Sequence, residues 1–255
     1  MSDMEEKKPN NKKAGKKENQ YLHHYSKELL QWLPIAQFEG DVKVIDQPEQ
    51  VADAVAYLNR QKFVGVDTEA RPSFTKGEHY PTSLVQIATH DRCYLFRLSK
   101  IGMPQELADF FANSDVCKVG LAFKEDINGL RRLRDFEPQN CVDVQKMANN
   151  YGIFDLGLQR MFAICFSKKI SKSQQLTNWE NVELTPEQAR YASTDAWATL
   201  LIYEDMIHTK ALPKKEVLAL KQAEKEALLA HQMEVMAAKE AAALAESNNS
   251  KNEIQ

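Results

Sequence analysis

The sequence predicts an α/β fold, a mixed β-sheet flanked by α-helices, and three observations carry that expectation. Short apolar runs with strand spacing recur between residues 42 and 121. Three of them are joined by hairpin-length connections, so part of the sheet is antiparallel. After the third, strands alternate with segments of helical spacing, the pattern of a sheet covered by helices.

In chain order, "VKVI" (42–45) reads as a strand and "PEQVADAVAYLNRQ" (48–61) as a helix with Pro48 near its start. "FVGVDTE" (63–69), "SLVQIAT" (83–89) and "CYLFRL" (93–98) are strands, separated by the polar loop 71–82 and the turn "THDR". "MPQELADFFANS" (103–114) is helical, "VCKVGL" (116–121) a strand, and "KEDINGLRRLRDF" (124–136) a helix. "VDVQKMANNYG" passes from a short strand into a helix, and "LGLQRMFAICF" (156–166) is helical. The last helix of this region, 185–208, starts from Thr185 as N-cap with Pro186 in the first turn and Glu187 and Gln188 close behind.

The ends have a different character. Residues 1–20 hold six Lys against four acids, the composition of a mildly basic disordered arm. From about residue 210 an Ala/Glu/Lys/Leu run reads as a helical tail, whose uses range from an exposed helix to a surface for a protein partner. The expected organisation is therefore an arm over 1–20, a domain over 21–209 and a tail over 210–255. At 255 residues, 43% hydrophobic and 27% charged, the chain has enough apolar content for that domain to bury a core. Apolar runs are too short to span a bilayer. The charged N-terminus lacks the apolar segment of a signal peptide, so the cytoplasm is the expected location.

A net charge of −3 and a pI near 6.1 argue against a protein that coats nucleic acid non-specifically. Any attraction to phosphate must be local. Cys93, Cys117, Cys141 and Cys165 form no C-x-x-C pair and mostly sit in apolar runs, so free thiols are expected rather than zinc ligands or disulfides.

The chemistry begins with "VDTE". On a strand, residues i and i+2 share a face, so Asp67 and Glu69 would present like charges side by side. Asp126, in "KVGLAFKEDINGL", sits at the front of a helix that follows a buried strand. In "YASTD", Tyr191 and Asp195 are four residues apart on one helical face. Each feature alone has an ordinary explanation: a strand end, a helix N-terminus, an exposed helix face. Together they would form an all-oxygen cage suited to hard divalent cations such as Mg²⁺ or Mn²⁺. Four carboxylates suit two ions roughly 3.5–4 Å apart, the arrangement used for phosphodiester displacement. Tyr191 could orient an attacking water by hydrogen bond.

These three segments, with "SLVQIAT", "DLGLQRMF" and "LTNWENVELTPEQARYASTDAWA" around them, resemble the motifs of the DEDDy 3′-5′ exonucleases, a family that includes ribonuclease D and the Werner syndrome helicase exonuclease. The likeness runs from about residue 42 to 208. It implies a ribonuclease-H-like fold, Asp67, Glu69, Asp126 and Asp195 as ligands of two cations, and Tyr191 as the water-positioning residue. The sister DEDDh class carries His five residues before the last Asp, where this chain has Arg190. The Werner branch has Trp after its first-motif Glu, where this chain has Ala70. The implied activity is 3′-5′ hydrolysis of DNA or RNA to nucleoside 5′-monophosphates; a catalytically inactive nucleic-acid-binding module of the same fold is the alternative.

Around that site, Lys168, Lys169 and Lys172 in the loop before the third motif, with Arg71 and Lys76 after the first, are candidates for backbone phosphates. Phe74 and Tyr80 are candidates for base stacking, whereas Trp179 and Trp197 read as core. Asp143 is expected to cap a helix, and Asp155 and Asp205 to lie on the surface.

Overall fold

In the computed structural model residues 15–252 are described, with side chains through residue 239. The chain divides into two compact units between Ala211 and Leu212. The N-terminal unit begins with a one-turn helix α1 (Lys27–Leu30), then β1 (Asp41–Ile45), a short 3-10 turn over Pro48–Gln50, α2 (Val51–Leu58), β2 (Phe63–Ala70), β3 (Thr82–Ala88) and β4 (Arg92–Phe96). It continues through α3 (Leu98–Ile101), α4 (Gln105–Ala112), β5 (Cys117–Gly120), α5 (Lys124–Leu133), β6 (Cys141–Asp143), α6 (Val144–Ala148), α7 (Leu158–Phe166) and α8 (Pro186–Ile207). The second unit is one helix, α9 (Lys214–Asn252), with Leu228, Leu229, Met233 and Met236 exposed along it.

The six strands form one mixed sheet in the order β1-β4-β3-β2-β5-β6. Only β3 runs against its neighbours, pairing antiparallel with both β2 and β4, while the other pairs are parallel. Local sequence explains this. The loop 71–81 and the turn around Asp91 return the chain at once, whereas α2, β2 and β3 separate β1 from its parallel partner β4, α4 precedes β5, and α5 separates β5 from β6.

Each sheet face has its own core. Val64, Val66, Val85, Ile87 and Phe96 point to one side and pack on α2, α4 and α5. Leu84, Ala88, Cys93 and Leu95 point to the other and pack beneath Ala192 and Ala196 of α8 with Trp179. The alternation of strand side chains sorts these two sets. The sheet is therefore roofed by helices on both faces, and α8 lies along β2, β3 and β4.

Two short helices, α1 and α3, are additions to the sequence reading. Leu98, read as the end of a strand, instead opens α3. Two surface assignments are corrected. Asp155 is buried and accepts from the Tyr25 backbone (2.7 Å) and Arg160 (3.0 Å). Asp205 accepts from the Tyr21 hydroxyl at 2.5 Å and pairs with Lys17. Both carboxylates hold the segment that precedes β1, whose tertiary contacts leave no local pattern. Of the expected arm, residues 1–14 lie outside the described residues, and Lys17 pairs through its backbone with His208 and Lys210. Cys93 and Cys117 are buried, Cys141 and Cys165 are less so, and all four are free thiols.

Candidate active site

Asp67 and Glu69 stand on β2, opposite Gln86 and Leu84 of β3, on the face covered by α8. The pairing register shifts between Glu69 and Ala70, so the strand bends directly after the second carboxylate. Asp195 comes down from α8. The approach is set by Gly65: a Cβ there would lie 1.9 Å from the carbonyl oxygen of Ala196, so only glycine lets helix and strand meet this closely. Carboxylate oxygens of Asp67, Glu69 and Asp195 all lie within 4.8 Å of one another.

Asp126 reaches the site from the opposite face. It lies in the first turn of α5, and its carboxylate accepts a hydrogen bond from the hydroxyl of Thr68, the residue between the two strand acids. Strand alternation explains this, since Thr68 must point away from Asp67 and Glu69. The turn that leads into α5 holds Ala122 at a φ of 54°, and the Ala122 N–H donates to Asp143 at 3.1 Å. Asp143 also caps α6 through the Gln145 N–H, as expected of it. Gly129 brings α5 against β3, where a Cβ would meet the Thr82 hydroxyl at 2.8 Å.

The electrostatics reflect this crowding. Burial raises the pKa of Asp67 well above the usual carboxylate range, and the charges of Asp195, Glu69 and Asp126 raise it further. Glu69 is raised by burial and by Asp195 and Asp126. Burial also raises Asp126, against the pull of the Thr68 hydroxyl, and raises Asp195, against the Tyr191 hydroxyl and the Lys172 ammonium. One carboxylate oxygen of Asp195 is buried without a hydrogen-bond partner among the described residues. Such a cluster of hard oxygen donors, short of compensating charge, fits divalent cations. Tyr191, one turn before Asp195, is buried, and burial together with the neighbouring carboxylates keeps its hydroxyl protonated. Its ring packs 6.0 Å from that of Trp179, which is fully buried, as expected of a core residue.

A cavity of about 330 Å³ opens over Asp67, Glu69, Tyr191 and Asp195, walled by Leu121 and the start of α7. Of the five candidate phosphate contacts, Lys172 lines this cavity. The Lys169 ammonium donates to the Gln31 carbonyl, and Lys168 is exposed beside it. Arg71 stacks on the Tyr80 ring at 4.8 Å, and Lys76 and Phe74 are exposed on the same loop. Asp67, Glu69, Asp195 and Tyr191 thus share one cavity, Asp126 stands outside it and is tied to the strand through Thr68, and the basic candidates are spread around.

A family model described as 3′-5′ exonuclease matches residues 42–209. The chain belongs to the 3′-5′ exonuclease family.

Among its relatives, the exonuclease mut-7 homolog of Aedes aegypti is 27% identical over 191 residues, 65% of this chain and 26% of that protein. The mouse bifunctional 3′-5′ exonuclease/ATP-dependent helicase WRN is 27% identical over 184 residues, 68% of this chain and 13% of that protein. This chain thus matches a minor part of each. Among solved structures, the Aedes aegypti Nibbler EXO domain superposes with a TM-score of 0.62 at 25% identity, covering 72% of this chain and 99% of that one.

Within this exonuclease family fold, the sequence reading missed Thr68 and the cavity wall around Leu158 and Gln159. Thr68 was discoverable, because the middle residue of an Asp-x-Glu strand end must face the opposite helix layer. The wall was not, because it forms only when α7 packs on α8 and Leu158 and Gln159 join Leu121 around the cavity.

Proposed function

We propose that this chain is a 3′-5′ exonuclease that hydrolyses nucleic-acid phosphodiester bonds from the 3′ end and releases nucleoside 5′-monophosphates. The observation that carries this reading is the convergence of Asp67, Glu69 and Asp195 within 4.8 Å, beneath a cavity that Tyr191 also lines. Asp67, Glu69, Asp126 and Asp195 would hold two Mg²⁺ or Mn²⁺ ions. When bound, the ions would supply a water activated near neutral pH and a counter-charge for the leaving oxygen.

The protein's own groups do the rest. The carboxylates fix the position at which the scissile phosphate is received, and family membership makes a terminal nucleotide its natural occupant. Tyr191, kept neutral, acts as a hydrogen-bonding group that orients the attacking water rather than as a base. Lys172, at the cavity rim, faces the substrate phosphate and tempers the charge on Asp195. The cavity volume is near the lower end for small-ligand sites, roughly 300–1,000 Å³, which suits one nucleotide rather than a duplex.

The test is digestion of 5′-labelled single-stranded DNA, recessed duplex DNA and RNA with Mg²⁺, Mn²⁺ or EDTA. Shortening from the 3′ end that EDTA stops, and that Asp67→Ala abolishes without loss of fold, is the expected result. Full activity of Asp67→Ala, or activity indifferent to EDTA, would end the proposal.

A further inference from the structure

Gln86 lies in the middle of β3 and is fully buried, yet neither polar atom of its amide has a hydrogen-bond partner among the described residues. The strand register places it directly opposite Asp67 on one side and Leu95 on the other. Its side chain therefore points to the sheet face that α8 covers, among Leu84, Ala88, Leu95 and Ala196. A buried amide left unsatisfied destabilises the fold. A Leu or Met would fill the same space without that cost, and the neighbouring β3 positions are Leu84, Val85 and Ile87. Packing alone gives no reason for an amide here.

Asp67 offers the complementary group, a carboxylate whose oxygens accept hydrogen bonds. Directly opposed residues on antiparallel strands have Cβ atoms about 4.5–5.5 Å apart, within reach of a Gln amide. An orphan donor thus stands across from a carboxylate able to accept from it.

We infer that Gln86 is a positioning residue for the carboxylate site, donating its amide N–H to the Asp67 carboxylate and so fixing its orientation towards a divalent cation. The role is that of an outer partner which orients a ligand, and it rests on the cation-dependent function proposed above. A purely structural role is the competing one: Trp179 Nε1, in the same cluster, also lacks a partner and could use the Gln86 carbonyl.

Two variants of the full chain separate these roles. Gln86→Met keeps the shape and removes the donor, and Gln86→Leu is a second apolar replacement. Thermal unfolding in EDTA and Mn²⁺ affinity by calorimetry are measured for both beside the wild type. The expected result is a Tm equal to or above wild type without cation, with a Mn²⁺ dissociation constant about 10–100-fold weaker. A folded Gln86→Met that binds Mn²⁺ like the wild type overturns this inference alone. So does a fall in Tm with unchanged Mn²⁺ affinity, or failure of both variants to fold, since either makes the amide structural. A wild type that binds no Mn²⁺ removes this inference and the proposed function together.

Discussion

The carbonyl oxygen of Ala196 occupies the space that any side chain on Gly65 would need, 1.9 Å from where its Cβ would be. Gly65 is two residues before Asp67, and Ala196 directly follows Asp195. One backbone contact therefore sets the distance between two of the acids. Gly65→Ala is expected to push α8 away, destabilising the fold by about 1–3 kcal/mol. That corresponds to a fall in Tm of roughly 2–4 °C per kcal/mol. Cation binding and nuclease activity should fall much further than stability, and calorimetry with a digestion assay on the purified variant compares them. A variant with wild-type activity would show that the spacing is not set here.

Thr68 ties the two sheet faces together through its hydrogen bond to Asp126. Thr68→Val keeps the volume and removes the hydroxyl, leaving Asp126 short of a partner at a cost of about 1–3 kcal/mol. Without that donor the Asp126 pKa moves up further. The expected outcome is a folded protein with a several-fold lower rate at neutral pH, recovered in part at higher pH. A pH–rate profile of the variant against wild type reads this directly.

The acidic cluster makes stability pH-dependent in an unusual direction. All four carboxyls have folded-state pKa values raised by burial, to about 6 for Asp126, about 7 for Asp195 and about 9 for Glu69. The native state then binds more protons than the unfolded chain above about pH 4, so this contribution to stability is lost as pH rises through those values. In EDTA, Asp67→Asn should have a higher Tm than wild type at pH 8, with the gap closing towards pH 4.5. Adding Mn²⁺ at pH 8 should reverse the order by stabilising only the wild type. Unfolding scans across that range test both statements, and a variant no more stable at pH 8 would contradict the first.

Arg97 acts at a distance from the acids. It is buried and donates to the carbonyls of Val182 (2.7 Å) and Asn181, holding the loop between Trp179 and α8. Burial lowers its pKa from the usual arginine value. Arg97→Met would leave both carbonyls without that donor and release the loop that seats Trp179 against Tyr191. A loss of about 2–4 kcal/mol is expected, visible as a lower denaturation midpoint in urea.

Much of the site was legible in one dimension because its parts are local. A strand's two-residue period puts Asp67 and Glu69 on one face, and a helix's turn puts Tyr191 beneath Asp195. Thr185 as N-cap and Pro186 in the first turn marked the start of α8 for the same reason. Segments held by distant partners were not legible. Asp155 and Asp205 looked like surface acids because Tyr25, Arg160, Tyr21 and Lys17 come from elsewhere in the chain.

The sequence by itself determined the order of the six strands and the longer helices, the acidic residues and their family. Periodicity and composition are properties of neighbouring residues, so no folding is needed to read them. Only the tertiary structure decided how near those acids stand, which of them Thr68 holds, and that Gln86 is buried opposite Asp67. Those facts depend on strand register and on the approach of α8 over Gly65, and both arise only when separate elements pack.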